Sequence, residues 1–140
     1  MDQIKNDDKE KNISNINIIL VEDDELLSSI IFKALKKEGY GVSLATNKLL
    51  VSTLLKNKIP DLIIMDIVMP GISGFEILKN LKSDERYKDI PVIIFSNLGQ
   101  EHEIEKGKEL GAEDYWVKAH LTPKKAIDKI NEFFKKKGKL

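Results

Sequence analysis

The chain has 140 residues, 41% of them hydrophobic and 33% charged, and its 23 basic residues balance 23 acidic ones. This length suits one domain with its own core and leaves no room for a second. The lack of cysteine excludes disulfides, thiolate zinc sites and cysteine nucleophiles. Balanced charge does not favour nucleic acid or an anionic membrane as a partner. Since no apolar run is long enough to span a bilayer and the N-terminus has no secretory signal, we expect a cytoplasmic protein.

The two ends of the chain are polar. Residues 1–14 hold few apolar groups, too few to offset the entropy of ordering them, so we predict a flexible N-terminal tail there. The folded domain is predicted over residues 15–137, with a short solvated end at residues 138–140.

Between these ends, short apolar runs alternate with segments of helical periodicity. Strands are predicted at residues 16–21, 42–45, 62–65, 92–95 and 115–117. The helices between and after them are marked in chain order by a stop at Gly39, a cap at Asn47, the apolar positions Phe75, Leu78 and Leu81, a stop at Gly111, and a start at Thr122 and Pro123.

Five strands alternating with five helices predict an α/β fold with a doubly wound parallel sheet, because each parallel connection needs an intervening element. We predict the flavodoxin-like strand order 2-1-3-4-5. In such sheets ligands bind at the carboxyl ends of the strands, at the switch point between strands 1 and 3, where the strand order reverses. The chemistry of the protein is therefore expected at that edge.

Polar side chains follow four of the five predicted strands at this edge. They are Glu22, Asp23 and Asp24 after strand 1, Asp66 after strand 3, Ser96 after strand 4 and Lys118 after strand 5. Taken singly, each of these side chains has an ordinary role. The acidic run could interact with the positive end of the first helix, Asp66 and Ser96 could cap helices, and Lys118 could face solvent. Together, carboxylates on neighbouring strands repel one another by about 4 kcal/mol at about 4 Å near a surface, so we expect a cation among them.

This set of groups points to phosphoryl transfer. The candidate ligands are hard oxygens, for which Mg2+ is the best-matched divalent cation. Lys118 adds a fixed positive charge, and the Ser96 hydroxyl can bond a phosphoryl oxygen. Positioning and charge neutralisation supply most of the catalysis in such reactions, and a carboxylate nucleophile would give an acyl phosphate.

Four segments resemble the receiver domains of bacterial response regulators, in the family's order and spacing. They are IILVEDDELL, LIIMDIVMPGISGFEIL, PVIIFSN and GAEDYWVKA. The resemblance covers residues 16–134 and implies a stand-alone, chemotaxis-like receiver of a two-component system. Such a protein is not a stand-alone enzyme but assists its own phosphorylation and dephosphorylation.

The resemblance also implies roles for the residues at the sheet edge. Asp66 would be the phosphoacceptor, Asp23 a direct Mg2+ ligand and Glu22 a ligand through water. The Val68 carbonyl would complete the metal ligands from the protein. Gly74 matches the glycine of the phosphorylation loop, where the alternative is an ordinary turn residue.

Signalling is expected to involve a switch pair, Ser96 and Tyr115. If Ser96 moves toward a phosphoryl group held by Lys118, it leaves space that Tyr115 could enter. The change would appear on the face formed by helix 4, strand 5 and helix 5. Trp116 should point to the opposite side of the sheet and belong to the core. The implied partners are a histidine kinase or phosphotransfer protein and an unknown downstream protein, with the chain a monomer or weak homodimer.

Two residues depart from the family pattern, and a third is expected to affect the lifetime of the phosphoaspartate. Ala119 stands where the family has a proline in a cis peptide, and a cis bond without proline costs about 2.5 to 4 kcal/mol. Asn97 replaces a small residue after the switch hydroxyl and could restrict access. Val68 offers no side-chain group to orient water, so we expect a long-lived phosphoaspartate.

Other functions fit the residues less well. A haloacid-dehalogenase-type phosphotransferase has a second acid two residues after its nucleophile, where this chain has Val68. A flavodoxin-like electron carrier needs a phosphate-binding loop after strand 1, where this chain is acidic. A module that only binds proteins would not need the acidic set with Lys118. His102 and His120 are expected in exposed loops or helices, not in a phosphorelay.

Overall fold

A computed structural model describes residues 13–140. Its elements in chain order are β1 (Asn17–Val21), α1 (Glu25–Glu38), β2 (Gly41–Ala45), α2 (Lys48–Asn57), β3 (Leu62–Met65), α3 (Gly74–Ser83), β4 (Val92–Ser96), α4 (Glu101–Glu109), β5 (Asp114–Val117), a 3-10 turn (Lys118–His120) and α5 (Pro123–Lys136). Each predicted strand is confirmed with its ends within one residue. No peptide bond of the described chain is cis, so the Lys118–Ala119 bond is trans.

The strands form one parallel sheet in the order β2-β1-β3-β4-β5, as predicted. Helices α1 and α5 cover one face, and α2 and α3 with the more polar α4 cover the other. All four residues of β3 are buried, as a strand covered on both faces requires. Tyr115 and Trp116 lie in the cores on opposite faces, which confirms the prediction for Trp116.

Predicted helix starts are confirmed by their hydrogen bonds. The Asn47 side chain accepts from the Leu50 N–H at 2.9 Å, and the Thr122 hydroxyl accepts from the Lys125 N–H at 3.2 Å. Helix α4 differs from the other α-helices, because Gly107 is its only buried residue. No helix within residues 13–140 is long and apolar enough to cross a membrane.

Both ends of the described chain pack against the domain. Ile13, which falls in the predicted flexible tail, is buried in the core on the α1 and α5 side. At the other end, Lys139 Nζ lies 2.5 Å from Asp61 Oδ1, and Leu140 packs against the same core. Residues that pack against the domain therefore lie on both sides of the predicted range 15–137, because residues near both ends of the chain contact residues that are distant in sequence. The rest of the predicted tail, residues 1–12, lies outside the described residues.

Candidate functional site

The order of the sheet brings the predicted acidic residues together. Val21 pairs with Met65 at the ends of β1 and β3, and the Asp66 N–H donates to the Val21 carbonyl at 3.0 Å. One carboxylate oxygen from each of Glu22, Asp23 and Asp66 lies within 4.8 Å of the others. This cluster was predicted from the positions of the three acids after strands 1 and 3.

Helix capping does not explain the cluster. Asp24 caps α1, its carboxylate accepting from the Leu27 N–H at 2.9 Å. The caps of α3 and α4 are Ser73 and Gln100, not the polar residues at the strand ends. Of the acidic run after β1, Glu22 and Asp23 are therefore left for another role.

Lys118 is not a solvated lysine, since its side chain is only 12% exposed. Its Nζ donates to Asp66 Oδ2 at 2.8 Å and to Glu22 Oε1, so one ammonium group is shared by two carboxylates. Burial alone would lower the pKa of Lys118, but hydrogen bonds and charge attraction to Asp66 and Glu22 hold it above its ordinary value. The lysine is thus a fixed cation at the site.

Glu22 is the most deeply buried acid of the cluster, with 3% of its surface exposed. Burial raises its pKa to about 7, and the hydrogen bond from Lys118 offsets only part of this effect. Glu22 Oε2 is buried and has no hydrogen-bond partner among the described residues. Three carboxylates and one ammonium group leave negative charge and a free lone pair, so a small divalent cation with oxygen ligands fits these residues.

The Asp66 carboxylate is held from two sides. Its Oδ1 accepts from the Val68 N–H at 3.2 Å, and its Oδ2 accepts from Lys118. Gly74 is the first residue of α3, not a turn residue, and a Cβ there would clash with the Asp66 carbonyl and lie 2.7 Å from Ile67 Cα. Only glycine therefore lets α3 begin directly against the backbone of Asp66.

Ser96 and Tyr115 are joined through Leu98. Ser96 is fully buried, and its Oγ accepts from the Leu98 N–H at 3.2 Å. The Tyr115 hydroxyl donates to the Leu98 carbonyl, and the ring is buried. Burial and the negative charges of Glu103 and Asp66 raise the pKa of Tyr115, although its interaction with Ser96 opposes this rise. Tyr115 thus occupies the inward position in this structure, beside Ser96.

Other predicted residues lie at the margin of the site. Val68 is 56% exposed and offers only its backbone to Asp66. Asn97, His102 and His120 are exposed. Sequence reasoning missed the link through Leu98, because a backbone carbonyl leaves no signature in the sequence.

Comparison with known proteins relates the chain to receiver domains. A family model described as the response regulator receiver domain matches residues 18–131. The phosphate regulon transcriptional regulatory protein PhoB of Pseudomonas aeruginosa is 32% identical over 121 residues, which cover 86% of this chain and 52% of PhoB. The chain spans about half the length of the curated relatives it matches.

Solved structures with the same fold include response regulators. The chemotaxis response regulator CheY4 of Vibrio cholerae has a TM-score of 0.76 at 23% identity, covering 84% of this chain and 97% of CheY4, and at that identity shows the fold alone. The phosphorylated cyanobacterial phytochrome response regulator RcpA has a TM-score of 0.67 at 28% identity, covering 73% of this chain and 79% of RcpA.

The raised pKa of Glu22 predicts a pH dependence of stability in metal-free buffer. The folded protein holds a proton between pH 4.5 and about pH 7 that the unfolded chain releases. The free energy of unfolding should therefore fall as the pH rises through this range, by at most about 3 kcal/mol. Urea denaturation followed by the fluorescence of the single tryptophan, Trp116, measures it.

Glu22→Gln is the control, because it keeps the side-chain volume and removes the titration. The difference in stability between the two proteins should change between pH 4.5 and about pH 7 and level off outside this range. A constant difference across the range would contradict the prediction.

Proposed function

Because the chain belongs to the response regulator receiver domain family, we propose that it is a phosphorylation switch whose phosphoacceptor is Asp66. Receiver domains are signalling modules that accept a phosphoryl group and are not classical enzymes. The observation that carries the assignment is the position of Asp66, at the end of the central strand β3 with Lys118 on one carboxylate oxygen and the Val68 N–H on the other.

We further propose that Glu22, Asp23 and Asp66 hold Mg2+, together with the Val68 carbonyl. Support comes from the distance of at most 4.8 Å between one carboxylate oxygen of each acid and those of the others. It comes also from Glu22 Oε2, which is buried and has no hydrogen-bond partner within residues 13–140. When bound, the ion supplies charge neutralisation for the attacking carboxylate and the phosphoryl oxygens.

The residues of the chain would then carry the reaction. A carboxylate oxygen of Asp66 attacks the phosphorus of a phosphohistidine on a histidine kinase or phosphotransfer protein. A phosphorus–oxygen bond forms, the phosphorus–nitrogen bond breaks, and the imidazole leaves with its electron pair. Lys118, 2.8 Å from Asp66 Oδ2, is placed to neutralise a phosphoryl oxygen. The Ser96 hydroxyl accepts a hydrogen bond from the Leu98 N–H, so it can still donate its own proton to a phosphoryl oxygen.

The alternatives are weaker at the level of residues. A haloacid-dehalogenase-type reaction requires a second acid at position 68, and the side chain there is an exposed valine. A module that binds its partner without phosphorylation gives no reason to bury Lys118 between two carboxylates, an arrangement that costs desolvation of all three groups.

Incubation with acetyl phosphate and Mg2+ tests the proposal. Intact-mass spectrometry should show the addition of one phosphoryl group, and Asp66→Asn should abolish it. Asp61→Asn is the matched control, because Asp61 precedes the same strand at its opposite end and pairs with Lys139 there. Its labelling should equal that of the unaltered protein. Labelling that persists in Asp66→Asn, or needs no divalent cation, would rule out this site.

We also predict a phosphoaspartate that outlasts seconds. The exposed Val68 has no polar group to orient a water molecule, and Asn97 lies at the end of β4 beside Ser96. After removal of acetyl phosphate, the labelled fraction is followed by intact mass in Mg2+ without a phosphatase. Val68→Gln should shorten the lifetime several-fold, since its amide can hold water. Loss within seconds in the unaltered protein would refute the prediction.

The output is proposed to pass through the face formed by α4, β5 and α5. Tyr115 joins this face to the site through Leu98. A partner that reads the switch should be captured more strongly by beryllofluoride-treated protein than by untreated protein, and Asp66→Asn should remove the difference. Equal capture in all three samples would indicate binding independent of phosphorylation. The cytoplasmic location and the monomeric or weakly dimeric state stay predictions.

A further inference from the structure

Helix α4 meets the sheet through a glycine. Gly107 is the only buried residue of this polar helix, and it faces Ile94 of β4 and Tyr115 of β5. Glycine is the least favourable residue inside a helix apart from proline. A glycine at this position therefore calls for a packing explanation.

The explanation lies in the distance to the ring. A Cβ on residue 107 would lie 3.0 Å from Cδ2 and 3.3 Å from Cε2 of Tyr115, and 2.6 Å from Cδ1 of Ile94. Ordinary contacts of a Cβ begin near 3.4 Å. Any other side chain would therefore displace the tyrosine ring, the isoleucine or the helix.

The Tyr115 ring links Gly107 to the loop that follows β4. Tyr115 is 7% exposed, and its hydroxyl donates to the Leu98 carbonyl, which tethers the far end of the ring. Leu98 in turn donates its N–H to Ser96 Oγ. A chain of direct contacts therefore runs from Gly107 through the ring and Leu98 to the hydroxyl at the end of β4.

We propose that Gly107 is a positioning residue for Tyr115, holding the ring inward beside Ser96 by leaving the space that a side chain would fill. With alanine at this position, the ring moves toward solvent and gives up its bond to Leu98. The consequence for signalling rests on the proposed function: Gly107 would set the balance between the inward and outward arrangements of the α4 and β5 face.

Fluorine NMR of protein labelled with 3-fluorotyrosine measures the ring position directly. The chain has three tyrosines, and Tyr115→Phe assigns the resonance of Tyr115. A soluble gadolinium chelate broadens exposed rings. The Tyr115 signal should be protected in the unaltered protein and broaden several-fold more in Gly107→Ala. Tyr40, which is 2% exposed, should stay protected and so report that the domain is folded.

Lys108→Ala is the matched control, an exposed neighbour on the same helix. It should leave the Tyr115 signal as protected as in the unaltered protein. A protected Tyr115 in Gly107→Ala would overturn the proposal, because Ile94 or the helix would then have yielded instead. Broadening of Tyr115 in the unaltered protein to the level of a free tyrosine would overturn it as well.

A double-mutant cycle covers the case in which Gly107→Ala folds poorly. If the glycine acts through the ring, Gly107→Ala should lower the urea midpoint when Tyr115 is present. It should leave the midpoint unchanged or raise it in a Tyr115→Ala background. An equal loss in both backgrounds would show that the ring is not involved. None of these measurements involves phosphorylation, so failure of acetyl phosphate labelling at Asp66 would not be mistaken for failure here.

Discussion

The site depends on one shared cation. Lys118 reaches from the end of β5 past β4 to Asp66 and Glu22, which directly follow the neighbouring strands β3 and β1. Its ammonium group compensates two buried carboxylates that would otherwise repel one another, and the carboxylates in turn keep the lysine charged in a poorly hydrated place. This arrangement requires the strand order of the sheet, because Lys118 lies 96 residues from Glu22 and 52 residues from Asp66 along the chain.

The surrounding structure leaves these groups available for chemistry. Asp24, Ser73 and Gln100 are the N-caps of the neighbouring helices, so the carboxylates of Glu22, Asp23 and Asp66 are not used for capping. Gly74 removes the side chain that would separate α3 from the backbone of Asp66. Within residues 13–140, Glu22 Oε2 has no hydrogen-bond partner and the negative charge of the three acids exceeds the positive charge of Lys118, and a divalent cation could balance both.

The fold and the acidic cluster were predictable because their signals lie in short segments. Consecutive apolar residues predicted the covered strands, and polar residues after four of the five strands predicted the site. The burial of Ile13 was not predictable, since a single apolar residue in a polar segment gains its burial from distant contacts. The packing of Tyr115 against Gly107 was not predictable for the same reason, because it depends on how closely a helix approaches two strands.

The same contrast explains why α4 suits a responsive role. Helices with several fully buried side chains are tied to the core by a large apolar area, whereas α4 fully buries only Gly107 and packs Ile104 partly against the core. An element with so little buried surface moves at low cost in free energy. Gly107 of α4 packs against the ring of Tyr115. The hydroxyl of this ring is hydrogen-bonded to Leu98, in the loop that follows Ser96. If Asp66 is phosphorylated as proposed and Ser96 moves in response, the displacement would therefore act first on the helix that is least strongly held.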